Sequence, residues 1–110
     1  MKASRILFES SSATLRRDAQ PVLLQIAAAI KRCGELKIEI SGHTDNTGTP
    51  GFNETLSKNR AKAVADALAK TGIPMSRMQV AGYGPAKPVA PNDTPANKLQ
   101  NRRIEFSVIR

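Results

Sequence analysis

Tryptophan is missing from this chain, and aromatic side chains of any kind are few: three phenylalanines and one tyrosine in 110 residues. A stacking platform for single-stranded nucleic acid needs successive aromatic faces, so that class is set aside; charge alone would have to carry a nucleic-acid reading, and no nucleic-acid partner is expected. One cysteine, Cys33, excludes an internal disulfide framework and a cysteine-based zinc site. One histidine, His43, is too few for the usual zinc or iron ligand sets, so neither metal nor cofactor is expected. No apolar run approaches the roughly 18 residues that span a bilayer. The opening MKASRILFES has no apolar stretch of the signal-peptide kind. Any tie to a membrane is therefore expected through a segment upstream of Met1.

What is present is a basic, foldable composition. Hydrophobic residues make up 40% and charged residues 24%, which suits one globular domain over residues 1–110. The net charge is +8 and uneven: residues 1–55 carry 7 basic and 6 acidic side chains, residues 56–110 carry 10 and 3. A basic second half suits an anionic partner, such as nucleic acid, anionic lipid or an acidic polymer; it equally suits a plain solvated surface.

The hydrophobic pattern then sets out the elements. Arg5–Phe8 reads as a short strand, followed by a polar loop. From Asp18, a candidate N-cap, Val22, Ile26 and Ile30 recur at helical spacing, with Pro21 in the first turn and Gly34 as the stop. Leu36, Ile38 and Ile40 alternate with polar residues, a half-buried strand leading into the turn-rich Gly42–Gly48. Thr49 and Pro50 suit the N-cap and first position of a second helix carrying Phe52, Leu56, Val64 and Leu68, which ends near Gly72. Met78 and Val80 begin a third strand ending at Gly82-Tyr83-Gly84. Pro85–Pro95 reads as an ordered surface loop, and Ile104, Phe106 and Val108 mark a last strand. The order β-α-β-α-β-β predicts an α/β fold, an α+β sandwich with two main helices on one face of a mixed sheet.

Two residues stand out chemically. Arg60 falls in the apolar row Phe52, Leu56, Arg60, Val64, Leu68, where a guanidinium needs a structural acid, a path to water or a bound anion. Asp45 lies in a loop between strand and helix, where it either closes an Asx-turn or is displayed to a ligand. Held at the same end of the sheet, the pair suits a zwitterion: Asp45 for an ammonium, Arg60 for a carboxylate in bidentate geometry. Ser41, His43 and Asp45 look like hydrolase residues. Strand neighbours two apart are separated by about 6.5–7 Å, however, too far for a triad's relay, and with no credible nucleophile and base no enzyme is expected. His43 is expected to stabilise the loop, and Cys33 to be a buried or half-buried small apolar residue near a helix end.

Taken in order, Ile38-Glu-Ile-Ser-Gly-His-Thr-Asp-Asn-Thr-Gly48, Asn53-x-x-Leu56-Ser57-x-x-Arg60-Ala61-x-x-Val64, Gly82-Tyr83-Gly84, Pro88-Val89 and Asn101-Arg102-Arg103-Ile104 form a recognisable series. The chain resembles, from about Ile6 to Ile109, the OmpA-like peptidoglycan-binding domain, the family of the OmpA C-terminal domain, the peptidoglycan-associated lipoprotein and MotB. The resemblance implies a non-catalytic module that grips the diaminopimelate of the peptidoglycan stem peptide. Such a module anchors an envelope protein to the cell wall, in the periplasm beside the outer membrane of a Gram-negative bacterium. It also implies roles by position: Asp45 for the ligand ammonium, Arg60 for its carboxylate, Asn53 and Leu56 lining the pocket, and Thr44 at the loop position next to the aspartate. Arg103 would stand at the rim, and Glu9 where the family often has aspartate. The chain would then be the C-terminal part of a longer envelope protein. A structural or partner-docking envelope domain that keeps the fold without binding peptidoglycan is the alternative.

Overall fold

Residue 8 and residues 13–109 are described in the computed structural model of the chain. In chain order they form α1 (Gln20–Arg32), β1 (Lys37–His43), α2 (Pro50–Lys70), β2 (Met78–Gly84), α3 (Pro95–Asn101) and β3 (Arg103–Ile109). Short 3₁₀ turns precede α1 at Arg17–Ala19 and β2 at Met75–Arg77. The strand expected over residues 5–8 lies outside the described residues except for Phe8, which forms an isolated antiparallel bridge with Leu15.

β1 is the central strand. It runs parallel to β2 and antiparallel to β3, so the sheet is mixed, as predicted. α2 is the crossover that a parallel β1–β2 pair requires. Ile38 and Ile40 of β1 stand opposite Met78, Val80 and Phe106 in register. Together with Ile104 they face Leu23, Ile26, Ala27 and Ile30 of α1 and the buried side of α2.

Basic side chains satisfy carbonyls left over at the helix ends. Lys31 Nζ donates to Thr71 O at 2.6 Å, and Arg77 donates to Ile30 O at 3.2 Å and Leu36 O at 3.1 Å. Asp18 is not the cap of α1. The cap position is Ala19, and the Gln20 amide is already taken by Arg17 O, so the 3₁₀ turn replaces a side-chain cap. Cys33 is exposed at the C-cap of α1, not buried: the helix ends there, and Gly34 follows at a φ of 67°.

The α2 row also differs from expectation. Leu68 and Val64 are fully buried, Arg60 and Leu56 half-buried, and Phe52 is exposed. A four-residue step drifts about 40° on a 3.6-residue helix, so four steps turn the row about 160° away from the core. The face that meets the sheet is Asn53, Ser57, Ala61, Val64, Ala65 and Leu68, small and polar at its N-terminal half. That half lies backbone to backbone on the strands. A Cβ at Gly42 would stand 2.0 Å from Ser57 O, and one at Gly82 would stand 2.4 Å from Lys58 N. Ser57 fills the contact: its hydroxyl donates to Glu54 O at 2.9 Å and accepts the Gly84 amide at 3.0 Å.

α3 was not predicted. Its Thr94-Pro95 start repeats the Thr49-Pro50 signature, with the Thr94 hydroxyl accepting the Asn97 amide at 3.1 Å. Only seven residues follow, too few to show an apolar period. Its last residue, Asn101, is fully buried and uses its whole amide. Oδ1 accepts Val89 N (2.7 Å) and Ala90 N (3.1 Å), while Nδ2 donates to Ala90 O (2.8 Å) and Asn92 Oδ1 (2.9 Å).

Two stability outcomes follow from these contacts. Gly82→Ala drives a methyl into helix backbone that has no flexible end to yield, so urea unfolding should show a loss of about 2–3 kcal/mol or more. Asn101→Asp replaces two donors with a buried acceptor facing Ala90 O and Asn92 Oδ1, and should cost at least about 2 kcal/mol at neutral pH in the same assay. Wild-type midpoints for either variant would show these contacts to be slack.

Candidate functional site

At the C-terminal end of β1, Ser41, His43, Thr44 and Asp45 are all buried, an unusual density of polar side chains for a strand end. Each is held by a defined partner. The Thr44 amide donates to Gly84 O at 2.9 Å, and its hydroxyl donates to Asp45 O at 2.8 Å. Asp45 Oδ1 accepts the Thr47 amide at 2.8 Å, which closes an Asx-turn. Asn53, in the first turns of α2, reaches back and donates to Thr47 O at 2.8 Å and Asp45 O at 3.5 Å. Thr44 and Asn53 are therefore committed to the loop backbone.

The second carboxylate oxygen, Asp45 Oδ2, meets Arg102 Nε at 3.1 Å. Asp45 is almost wholly enclosed in that pair, whereas Arg102 is half exposed. Arg60 belongs to the same cluster. Burial and then the neighbouring Arg102 charge lower its pKa from the ordinary value, and its guanidinium lies 4.9 Å from the centre of the Phe8 ring. Leu56 stands one turn earlier on α2. Lys98 of α3 approaches the loop from outside, its ammonium 3.4 Å from the Thr47 hydroxyl.

The structure thus brings together Asp45, Arg60, Thr44 and Asn53, with Leu56 on the same stretch of helix. Arg103 is held elsewhere. It pairs with Glu105 and donates to Asn101 O at 3.1 Å and Lys87 O at 2.8 Å. Glu9 lies outside the described residues. Arg102 was missed by sequence reasoning. The available signal was alternation: of two adjacent arginines at a strand's start, one faces away from the other, so both do not serve one purpose. Ser41 and His43 correct the spacing argument made above. Ser41 Oγ and His43 Nε2 are 3.0 Å apart, because side chains two apart on one face lean towards each other across the Cα separation. His43 Nδ1 nevertheless has no hydrogen-bond partner among the described residues, so no acid orients the ring as in a triad.

Residues 7–102 match the OmpA family. The chain belongs to the OmpA family. Among relatives, it is 41% identical over 99 residues to the peptidoglycan-associated lipoprotein of Agrobacterium fabrum, covering 90% of this chain and 56% of that protein. It is 38% identical over 103 residues to the peptidoglycan-binding protein ArfA of Mycobacterium tuberculosis, covering 94% and 32%. Among solved structures it superposes on the cell wall anchor of the T6SS from Pseudomonas aeruginosa with a TM-score of 0.82 at 38% identity, covering 93% of this chain and 73% of that one. The chain spans less than two thirds of the length of both curated relatives.

In this OmpA-family chain the strand end also carries a titratable group with a strongly displaced proton affinity. Burial, then the Arg103 charge, lowers the His43 pKa from 6.5 to about 4; Glu105 opposes this and Lys87 adds to it. The folded state therefore binds this proton less readily than the unfolded state. Its contribution to stability is complete above pH 6.5 and is lost as pH falls from there through 4. A shift of that size corresponds to about 3 kcal/mol. Melting temperatures should fall more steeply between pH 6.5 and 4.5 for wild type than for His43→Gln, and parallel curves would remove the linkage.

Proposed function

We propose that this OmpA-family domain binds peptidoglycan non-covalently through the diaminopimelate of the stem peptide, and so anchors an envelope protein to the cell wall in the periplasm. The observation that carries the reading is the convergence of one carboxylate, Asp45, with two guanidiniums, Arg60 and Arg102, at one end of the sheet. A stem-peptide diaminopimelate keeps a free zwitterionic end. Its ammonium takes Asp45 Oδ2, displacing or sharing the Arg102 contact, and its carboxylate takes the guanidinium fork of Arg60. Arg102, released towards solvent, supplies a further donor to the same carboxylate. Leu56 offers an apolar wall for the ligand's methylenes, and Thr44 and Asn53 act indirectly by fixing the loop that carries Asp45. Names of relatives that bind or associate with peptidoglycan support the ligand class, and a net charge of +8 suits an acidic sugar-peptide polymer.

One observation favours the partner-docking alternative: the Arg102–Asp45 pair already satisfies the carboxylate within the chain. Calorimetric titration with a diaminopimelate-containing tripeptide separates the two readings. Asp45→Ala and Arg60→Ala should each lose about 2–5 kcal/mol of binding while the circular dichroism spectrum stays native. Arg60→Lys should lose at least about tenfold, since an ammonium keeps the charge without the planar fork. Lys87→Ala should change affinity little at neutral pH and mostly through screened attraction. A wild-type chain that sediments with purified sacculi but ignores the tripeptide would assign its wall contact to another part of the polymer. A chain that does neither overturns the peptidoglycan reading and leaves the structural or partner-docking one.

A further inference from the structure

His43 is left over from the binding reading: it is buried, titratable, two residues from Asp45, and makes no part of the proposed ligand contacts. Its ring occupies the face of the sheet opposite α2, boxed in on every side. Ser41 Oγ of its own strand bonds Nε2 at 3.0 Å, and Tyr83 of β2 stacks on it with centroids 5.4 Å apart. The Lys87 ammonium lies over that tyrosine ring, 3.8 Å from its centroid. From β3 come Arg103 and Glu105, already paired with each other, and further along β1 Glu39 is engaged by the Tyr83 hydroxyl at 3.0 Å. Ring atom Nδ1 has no hydrogen-bond partner among the described residues. The slot thus suits the neutral ring with its proton on Nε2, facing the Ser41 hydroxyl; a second proton, on Nδ1, finds no partner there and two cations nearby.

The slot is tied to the loop by short backbone links. The β1–β2 register shifts between Gly42 and His43, so that His43 stands opposite Gly84. Gly84 O accepts the Thr44 amide at 2.9 Å, and Gly84 N donates to Ser57 of α2 at 3.0 Å. A ring that leaves its place between Ser41 and Tyr83 pulls on Thr44, and Asp45 follows.

We propose that His43 is a positioning residue for the Asp45 loop: its neutral ring holds the end of β1 closed, and protonation loosens the loop and weakens ligand binding there. The binding half of this statement rests on the function proposed above; the loop half does not.

A single histidine makes the proton easy to follow. The experiment uses the 110-residue chain and three NMR and calorimetric readouts between pH 7 and 3. These are the His43 ring resonances, the Thr47 amide that Asp45 Oδ1 holds, and affinity for the diaminopimelate tripeptide. Wild type should show the amide moving and affinity falling with the midpoint of the His43 ring, by up to about twofold at the midpoint and up to about tenfold per pH unit below it. Because carboxylates also titrate in this range, the deciding variant is Lys87→Glu. It lies outside the proposed site and should bind within about threefold of wild type at pH 7. Replacing a neighbouring cation with an anion raises the ring's midpoint by roughly half a unit or more. The Thr47 amide and the affinity midpoint should rise with it. His43→Gln should lose this acid component and keep only the carboxylate one; if it does not fold, Lys87→Glu decides alone. A ring midpoint that moves while amide and affinity stay put overturns the proposal. If the wild type does not bind the tripeptide at pH 7, the binding reading fails, and the Thr47 amide still decides whether His43 holds the loop.

Discussion

Helix α2 touches the sheet main chain to main chain, and most of the molecule's functional end is placed by that contact. Side chains normally fill the space between a helix and the sheet it covers, but Gly42 and Gly82 leave nothing between Ser57–Lys58 and the two strands. The approach costs apolar burial, since the N-terminal half of the helix offers Asn53 and Ser57 to the sheet where a Leu or Ile would ordinarily stand. In exchange, polar groups reach across. Ser57 joins α2 to Gly84, and Asn53, one turn earlier, reaches the carbonyls of the Asp45 loop. Arg60, one turn later, sits at the edge of the buried face, where a long side chain is partly stripped of water yet still meets Arg102.

The loop is correspondingly over-determined. Asp45 contributes one oxygen to its own turn and the other to Arg102, while Thr44 and Asn53 hold carbonyls that would otherwise wander. A ligand that meets such a loop has little ordering entropy left to remove, so charge complementarity is converted more fully into affinity. The same closure makes the loop answerable to events on the other face of the sheet, where Tyr83, Lys87, Arg103 and Glu105 surround His43.

Local chemistry was legible where one or two residues decide the outcome: Thr49-Pro50 opens α2, Gly34 and Gly72 follow the long helices, and Ile38 and Ile40 face inward. Asp45 and Arg60 stood out because each is a charge where the pattern does not ask for one, Arg60 in an apolar row and Asp45 in a turn-rich loop at a strand end, although Asp45 is buried there. What escaped needed three dimensions. The Phe52–Leu68 row looked as though it faced the core along its whole length, but helical drift turns its first member to solvent. Thr94-Pro95 carried the same signal as Thr49-Pro50, yet seven residues without an apolar period do not announce a helix. Arg102 and Arg103 are indistinguishable as letters and part company only when β3 begins between Asp45 on one side and Glu105 on the other.

Cys33 gives the domain one chemical handle, and the topology says where it is. It follows α1 and precedes β1, so it marks the end of the central strand remote from the Asp45 loop, about 20 Å away along seven strand residues. A maleimide fluorophore, a bead or a solid support coupled there leaves the opposite pole of the sheet unobstructed. The chain can thus be tethered in a single orientation, with its charged cluster turned towards whatever surface it is offered.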